Sequence, residues 1–360
     1  MPESQLNALK RVWSEPVRDA EGRRGTELIY RIYTALDDHA DIEEFSIHPD
    51  ERDQDAEQSR TFFRSKKTGK RPDAGEALEA MLNVEADRSM WFGAYTFRTT
   101  QYDDMKGVDA VLEWDEGDRF GFAPRLAVDF SGSTNATRIA DKMGKVENGV
   151  RVKYFRSQAT DEMDQEMTLD RLPIAVLGVD AAFAEGMGQY ALLFKQTVGG
   201  EERLPPKTFA EFPIRFLLLE EAVAQVDDQV QAESRRLFDY LTRMDGLPAS
   251  VQEALACYRS LTLQPVRPSV VSVATCFAPA TEDFARLEEQ MKNRTPARSY
   301  RRGDEKLPPS PVEVLGRWRN LAAVRELLTE KKQELENAAR AAQVQRWREA
   351  SKTYEQLMAS

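Results

Sequence analysis

The sequence predicts an α/β (or α+β) fold, a small mixed sheet with an αβββαβ-like core and long helices on both flanks. Three observations carry this. Two short runs, Val108–Trp114 and Leu126–Phe130, are separated by a segment with Gly117, Gly121 and Pro124, which reads as a hairpin. Leu172–Val179 is a continuous apolar run with β-branched residues, the pattern of a strand buried on both faces. Phe212–Met244 and Pro311–Met358 hold apolar residues at helical spacing over many turns. The chain divides accordingly into an N-terminal helical segment with an acidic loop (1–70), an α/β core (71–200) and a helical extension with room for one more strand (201–292). A linker (293–310) and a C-terminal helical arm (311–360) follow.

Composition narrows the function classes. With 360 residues, 41% of them hydrophobic, the chain can bury at least one sizeable core. No run of eighteen apolar residues offers a membrane span, and MPESQLNALKRVW lacks the apolar stretch of a signal peptide. Cys257 and Cys276 are too few for a disulfide framework or a thiolate zinc site and fit a reducing, cytoplasmic setting. Only His39 and His48 are present, which argues against histidine-rich metal sites and a serine–histidine triad. No GxGxxG or GxxxxGK[ST] loop occurs, so nucleotide hydrolysis loses its support. Net charge is −11; residues 291–360 hold 15 Lys and Arg against 9 Asp and Glu, which leaves the body strongly acidic. That body repels nucleic acid at long range, while the basic tail offers a contact for nucleic acid or for the acidic body itself.

The elements follow in order. Ser4–Trp13 and Asp19–Leu36 read as helices, and acidic Asp37–Asp55 as a loop. Arg60–Arg71 interleaves basic residues with two phenylalanines, a pattern that grips nucleic-acid strands and also occurs on solvated surfaces. Ala74–Asp87 is a helix whose inner side is Ala77, Leu78, Met81, Leu82 and Val84. Trp91–Thr100 reads as extended and Tyr102–Lys106 as a turn, with Asp103 and Asp104 bordering the hairpin. Thr134–Val146 is a helix bearing Lys142 and Lys145 on one face, and Val150–Phe155 is a strand. After Val179, Ala181–Gly186 begins a helix. Ser250–Leu261 and Thr281–Lys292 are helical, Ser269–Phe277 is a possible strand, and Asn293–Pro311 has little to bury. The stripe Val314, Trp318, Leu321, Val324, Leu328, Leu335 suits a helical hairpin or coiled-coil arm offering a face to a protein partner.

Side chains on a strand alternate faces. Folding the hairpin about Arg119 sets Val111 opposite Ala127, an exposed Glu113–Arg125 pair near the loop, and Asp109 opposite Asp129 at the far end. Two facing carboxylates repel by up to roughly 1 kcal/mol. Solvent, a shared proton or a divalent cation offsets that. Hard oxygen donors without histidine or thiolate suit Mg²⁺ or Mn²⁺.

Strand, carboxylate, hairpin, strand, carboxylate, basic helix and further strand, over roughly residues 75–185, resembles the PD-(D/E)XK nuclease superfamily. The resemblance implies an αβββαβ core and metal-dependent hydrolysis of phosphodiester bonds in DNA or RNA. It implies that Asp109 and Asp129 hold Mg²⁺, with an extra acid from the preceding helix, for which Glu85 is the candidate. Ser131 stands where the family has its signature lysine. Some members carry that lysine on the following helix, where Lys142 or Lys145 would assist. The alternative is a catalytically inactive nuclease-like fold or an unrelated protein whose long helices bind other proteins.

Overall fold

The computed structural model describes residues 24–34, 36, 39–66, 74–131, 142, 145–178, 181–198, 201–205, 209, 214–262, 276–277, 280–294 and 309–359. The expected helix Ser4–Trp13, most of the helix Thr134–Val146, most of the possible strand Ser269–Phe277 and most of the linker lie outside them.

Four strands form the central sheet: β1 (Tyr95–Arg98), β2 (Ala110–Glu113), β3 (Arg125–Ser131) and, after two intervening strands, β6 (Ile174–Gly178), in the order β1-β2-β3-β6. The first three run antiparallel, and β6 runs parallel to β3. The register is the expected one, with Val111 opposite Ala127 and Glu113 opposite Arg125. Alternation then sorts the side chains. Ala110, Leu112, Leu126, Val128, Phe130, Ala175 and Leu177 join a core shared with helices. Val111, Ala127, Ile174 and Val176 face the opposite way, onto Val150, Val152, Phe155 and Leu172. These last belong to the hairpin of β4 (Val150–Arg156) and β5 (Glu166–Leu172), which covers the second face.

The helical face is built from α1 (Gly25–Tyr33), α3 (Ala74–Arg88), α6 (Ala181–Phe194), α7 (Ile214–Leu241) and α10 (Pro311–Ala359). Between α6 and α7 lies a small ladder, β7 (Gln196–Val198) with β8 (Glu201–Arg203). Helix α10 is one continuous helix rather than a hairpin. It runs antiparallel along α7, since Arg317 meets Glu233 (2.9 Å), Arg325 meets Asp227 (2.6 Å) and Lys332 meets Glu220 (3.5 Å). Its Asn320 accepts from the Arg125 amide (2.9 Å) and donates to the Arg125 carbonyl (2.7 Å), seating the helix on the start of β3. A second helical core joins the C-terminal part of α7, α8 (Ala249–Thr262), α9 (Thr281–Arg294) and the first turns of α10.

Strand β6 is one edge of the sheet, and α7 closes it with side chains one turn apart. Gln225 accepts from the Val176 amide (2.9 Å) and donates to the Val176 carbonyl (2.7 Å). Gln229 donates to the Ile174 carbonyl (3.0 Å), and Glu221 accepts from the Gly178 amide (3.1 Å). The helical repeat of four residues, near 6 Å, matches the rise of two strand residues. A polar stripe on a helix thus stands in for a fifth strand.

Two local expectations change. Part of the acidic stretch read as a loop is helical, because α2 (Pro49–Lys66) starts at Pro49 with Asp50 and Glu51 in its first turn. Proline at the first helical position and acids beside the positive end favour a helix that apolar periodicity does not announce. Its inner face is polar: buried Asp55 takes an ion pair from Lys153 and a 2.9 Å hydrogen bond from the Tyr154 hydroxyl. The stretch read as a turn is α4 (Gln101–Met105), capped by Thr100, which accepts from the Asp103 amide. The hairpin loop also holds a helical turn, α5 (Gly117–Phe120), whose Arg119 pairs with Glu326 and Glu330 of α10. Among the described residues no helix is long and apolar enough to cross a membrane.

Candidate metal and phosphate site

Asp109 and Asp129 lie on the sheet face covered by the β4–β5 hairpin. Asp109 precedes β2; its amide donates to the Val128 carbonyl (2.9 Å), and its Oδ2 accepts from the Phe130 amide (2.6 Å). It is clamped to β3 beside Asp129, and both are nearly inaccessible, at 4% and 2% exposure.

Two sets of partners converge on this pair. Around Asp109 stand Glu79 of α3 and Asp104 of α4, and one carboxylate oxygen from each of the three lies within 4.8 Å of the others. Arg98, at the end of β1, reaches into the group. Its Nη2 is 3.0 Å from Asp104 and 3.6 Å from Glu79, and its Nη1 donates to the Asp109 carbonyl (2.8 Å). His39 Nε2 is 2.6 Å from Asp104 Oδ2. Around Asp129, Lys142 Nζ donates to Oδ1 at 2.5 Å, and Lys145 Nζ stands 3.8 Å from Oδ2. That Oδ2 is buried and accepts no hydrogen bond.

Electrostatics follow from crowding and burial. Desolvation pushes the Asp109 carboxyl well above its ordinary range, and the charges of Glu79, Asp104 and Asp129 push it further against the pull of Arg98. Asp129 is raised as well, chiefly by burial, against the lowering influence of Lys142 and Lys145. Four carboxylates here meet three permanent cations, Arg98, Lys142 and Lys145, and burial favours the neutral form of Asp109 and Asp129 over the charged one.

The lysine segment is held firmly. Residues 145–148 are helical and end at Gly149, whose φ of +74° and amide bond to the Lys145 carbonyl (2.9 Å) make a left-handed cap. Arg317 donates to the carbonyls of Val146 (2.8 Å) and Glu147 (2.9 Å), and Arg236 to that of Glu147 (3.2 Å). Both arginines pair with buried Glu233. Cations at a helix C-terminus satisfy carbonyls that lack intrahelical partners. Lys145 itself donates to the Lys106 carbonyl (3.0 Å), which its close passage over Gly107 permits; a Cβ at Gly107 would lie 2.0 Å from Nζ.

Of the residues singled out in the sequence, Asp109, Asp129, Lys142 and Lys145 come together. Glu85 lies elsewhere. It is buried in the inner face of α3, accepting from the Tyr33 hydroxyl (2.7 Å) and Ser89 Oγ (3.0 Å), neither solvent-facing nor among the clustered acids. The acid that α3 contributes is Glu79. Arg98, Glu79 and His39 are the participants that sequence reasoning passed over. Asp103 turns away, taking the amides of Lys153 (2.8 Å) and Tyr154 (3.2 Å), and burial lifts its carboxyl to about 6. Glu113 and Arg125 pair as expected (2.8 Å), but buried rather than exposed.

The donor set fits a hard divalent ion in one respect and opposes it in another. Clustered carboxylate oxygens and the hydrogen-bond-free Asp129 Oδ2 suit Mg²⁺ or Mn²⁺. Arg98, already among three of the acids, competes with any second cation. The chain matches no protein-family model, no curated protein and no solved structure.

Proposed function

We propose that this protein is a metal-dependent, nuclease-like hydrolase acting on phosphodiester bonds of DNA or RNA. The observation that carries the reading is the clamped Asp109–Asp129 pair with Lys142 and Lys145 directed at Asp129. In this reading Asp109 and Asp129 hold Mg²⁺ or Mn²⁺, with Glu79 and Asp104 completing the acidic wall. The ion, when bound, polarises a phosphoryl oxygen and lowers the pKa of bound water. Lys142 sits where it offsets charge on a phosphate that approaches Asp129. Arg98 gathers the carboxylates and limits their mutual repulsion. Lys145, tied to the Lys106 carbonyl, orients the Asp129 carboxylate rather than the substrate.

Arg98 also favours a second reading, a nuclease-like fold without hydrolytic activity. A guanidinium among Glu79, Asp104 and Asp109 neutralises the charge that an ion would otherwise balance. The helices, α10 above all, would then bind protein partners.

Calorimetric titration of Mn²⁺ and Mg²⁺ into the native protein, Asp129→Asn and Asp109→Asn separates the two, with plasmid and single-strand cleavage assayed alongside. Binding and cleavage lost together in both variants support the hydrolase. Binding without cleavage supports the inactive fold. No binding by the native protein overturns the metal reading.

A further inference from the structure

Cys257 and Cys276, the chain's only cysteines, form a disulfide with a Cα–Cα distance of 5.5 Å across 19 residues. Two cysteines alone suit a reducing compartment by count, yet the structure pairs them. Their surroundings differ sharply. Cys257 lies on the outer face of α8 and is exposed, whereas Cys276 is only 4% exposed. Next to Cys276 stands Phe277, fully buried, with ring centroids 5.4 Å from Tyr258, 5.9 Å from Phe284 and 5.3 Å from Trp318. Tyr258 adjoins Cys257 on α8, Phe284 is on α9 and Trp318 on α10. The disulfide therefore pins to α8 the segment whose aromatic ring fills the root of α10.

Thiol–disulfide exchange requires a thiolate to reach one sulfur along the axis of the bond it breaks. Burial of Cys276 closes one approach, and exposure of Cys257 leaves the other open. We propose that this disulfide is a thiol-exchange site. A small-molecule thiol forms a mixed disulfide with Cys257, Cys276 is the resolving thiol, and the redox state of the pair sets the rigidity of the α8–α9 cap. The step balances simply. A thiolate RS⁻ attacks Cys257 Sγ, the new S–S bond forms as the Cys257–Cys276 bond breaks, and the electron pair leaves on Cys276 Sγ, which takes a proton from solvent. Attack by Cys276 on Cys257 reverses this and expels RS⁻. Attack by a second external thiolate on the outer sulfur yields RSSR and two free cysteines, a two-electron reduction by the named thiol. In the reduced chain the constraint on the enclosed segment is gone, and Phe277 keeps its ring contacts with Tyr258, Phe284 and Trp318 without the covalent tie. The inference does not depend on the hydrolase reading, because no residue of the metal and phosphate site takes part.

The test uses the full chain equilibrated with glutathione and glutathione disulfide at graded ratios, quenched by alkylation and mapped by peptide mass. One glutathionyl adduct should appear at intermediate ratios, on the Cys257 peptide, with Cys276 alkylated. Cys276→Ser should take up one glutathione under native conditions, and Cys257→Ser none. Native-state hydrogen exchange on the reversibly reduced wild-type chain should show at least tenfold faster exchange across Ala249–Thr262 and Thr281–Arg294, with β2 and β3 unchanged. This readout stands even where a serine variant fails to fold. Adducts divided equally between the cysteines, a pair that glutathione disulfide cannot re-form, or unchanged protection in α8 and α9 would overturn the proposal.

Discussion

Replacing Glu113 with alanine tests the hairpin most severely. Its side chain has no exposure, and its carboxylate accepts four hydrogen bonds: Oε1 from Arg125 Nε (2.8 Å) and Ser157 Oγ (2.8 Å), Oε2 from the amides of Gln158 (2.8 Å) and Ala159 (3.1 Å). Truncation removes the acceptor of the Gln158 amide, leaves the Ala159 amide only its 3.2 Å bond to Ser157 Oγ, and leaves Arg125, 11% exposed, with Glu162 as its remaining carboxylate. Breaking a buried pair from one side costs about 3–5 kcal/mol, and each stranded donor about 1–3 kcal/mol. These overlap, so we expect a loss of about 4 kcal/mol for Glu113→Ala. Glu113→Gln keeps the shape but sets an NH₂ against donors, for a loss of about 2 kcal/mol. Urea denaturation followed by circular dichroism measures both; with a slope of about 3 kcal/mol/M the alanine midpoint falls by more than 1 M. A double-mutant cycle with Arg125→Met should give coupling above 1 kcal/mol, beyond the roughly 0.2–1 kcal/mol of an exposed pair. A Glu113→Ala variant within about 1 kcal/mol of the native protein would refute the buried network.

Three further outcomes follow from the same reasoning. Asp103 has its folded-state pKa raised by burial from 3.8 to about 6. The group therefore adds stability below about pH 4 and loses it as pH rises through about 6, on the order of 2–3 kcal/mol at about 1.4 kcal/mol per unit. Raised Asp109 and Asp129 act in the same sense. Urea midpoints should rise between pH 7 and pH 5, less steeply in Asp103→Asn, and a monotonic fall would contradict this. Arg317→Gln should cost about 1–3 kcal/mol, because buried Glu233 keeps Arg236 while the buried Val146 carbonyl loses its donor, and should raise amide exchange at Gly149; unchanged exchange would mean that Arg317 does not hold the lysine turn. Gly107→Ala forces a left-handed φ of +82° on a residue with a Cβ and displaces Lys145; calorimetry should show a loss of about 1–2 kcal/mol.

The hairpin was legible because one strong signal governs it. Alternation with period two fixes the faces, and the opposite charges of Glu113 and Arg125 fix the register. In helix α3 the helical period itself encodes where the acids point. Glu85 falls four residues after Met81 and three after Leu82, in the middle of the inner face of α3, so burial and pairing with Tyr33 follow from helical geometry. Glu79, six residues earlier and so roughly 240° away around the axis, faces the sheet end. Arg98 and His39 were not legible, since His39 reaches Asp104 across 65 residues and no local pattern encodes that contact. Helix α2 hid for a different reason: its buried face is polar, and Lys153, 98 residues beyond Asp55, completes it.

The glutamine stripe on α7 has a meaning for the chain while it is being made. Gln225 is synthesised 49 residues after Val176, whose backbone it closes. At about 5–20 residues per second, β6 emerges roughly 2–10 s before its cover exists. During that interval an apolar run, Ile174-Ala-Val-Leu-Gly178, offers unpaired amides and carbonyls along one side, the template on which strands of other chains add. Order of synthesis thus makes β6 a point of exposure to misassembly. A ribosome pausing before Ile214 lengthens that exposure.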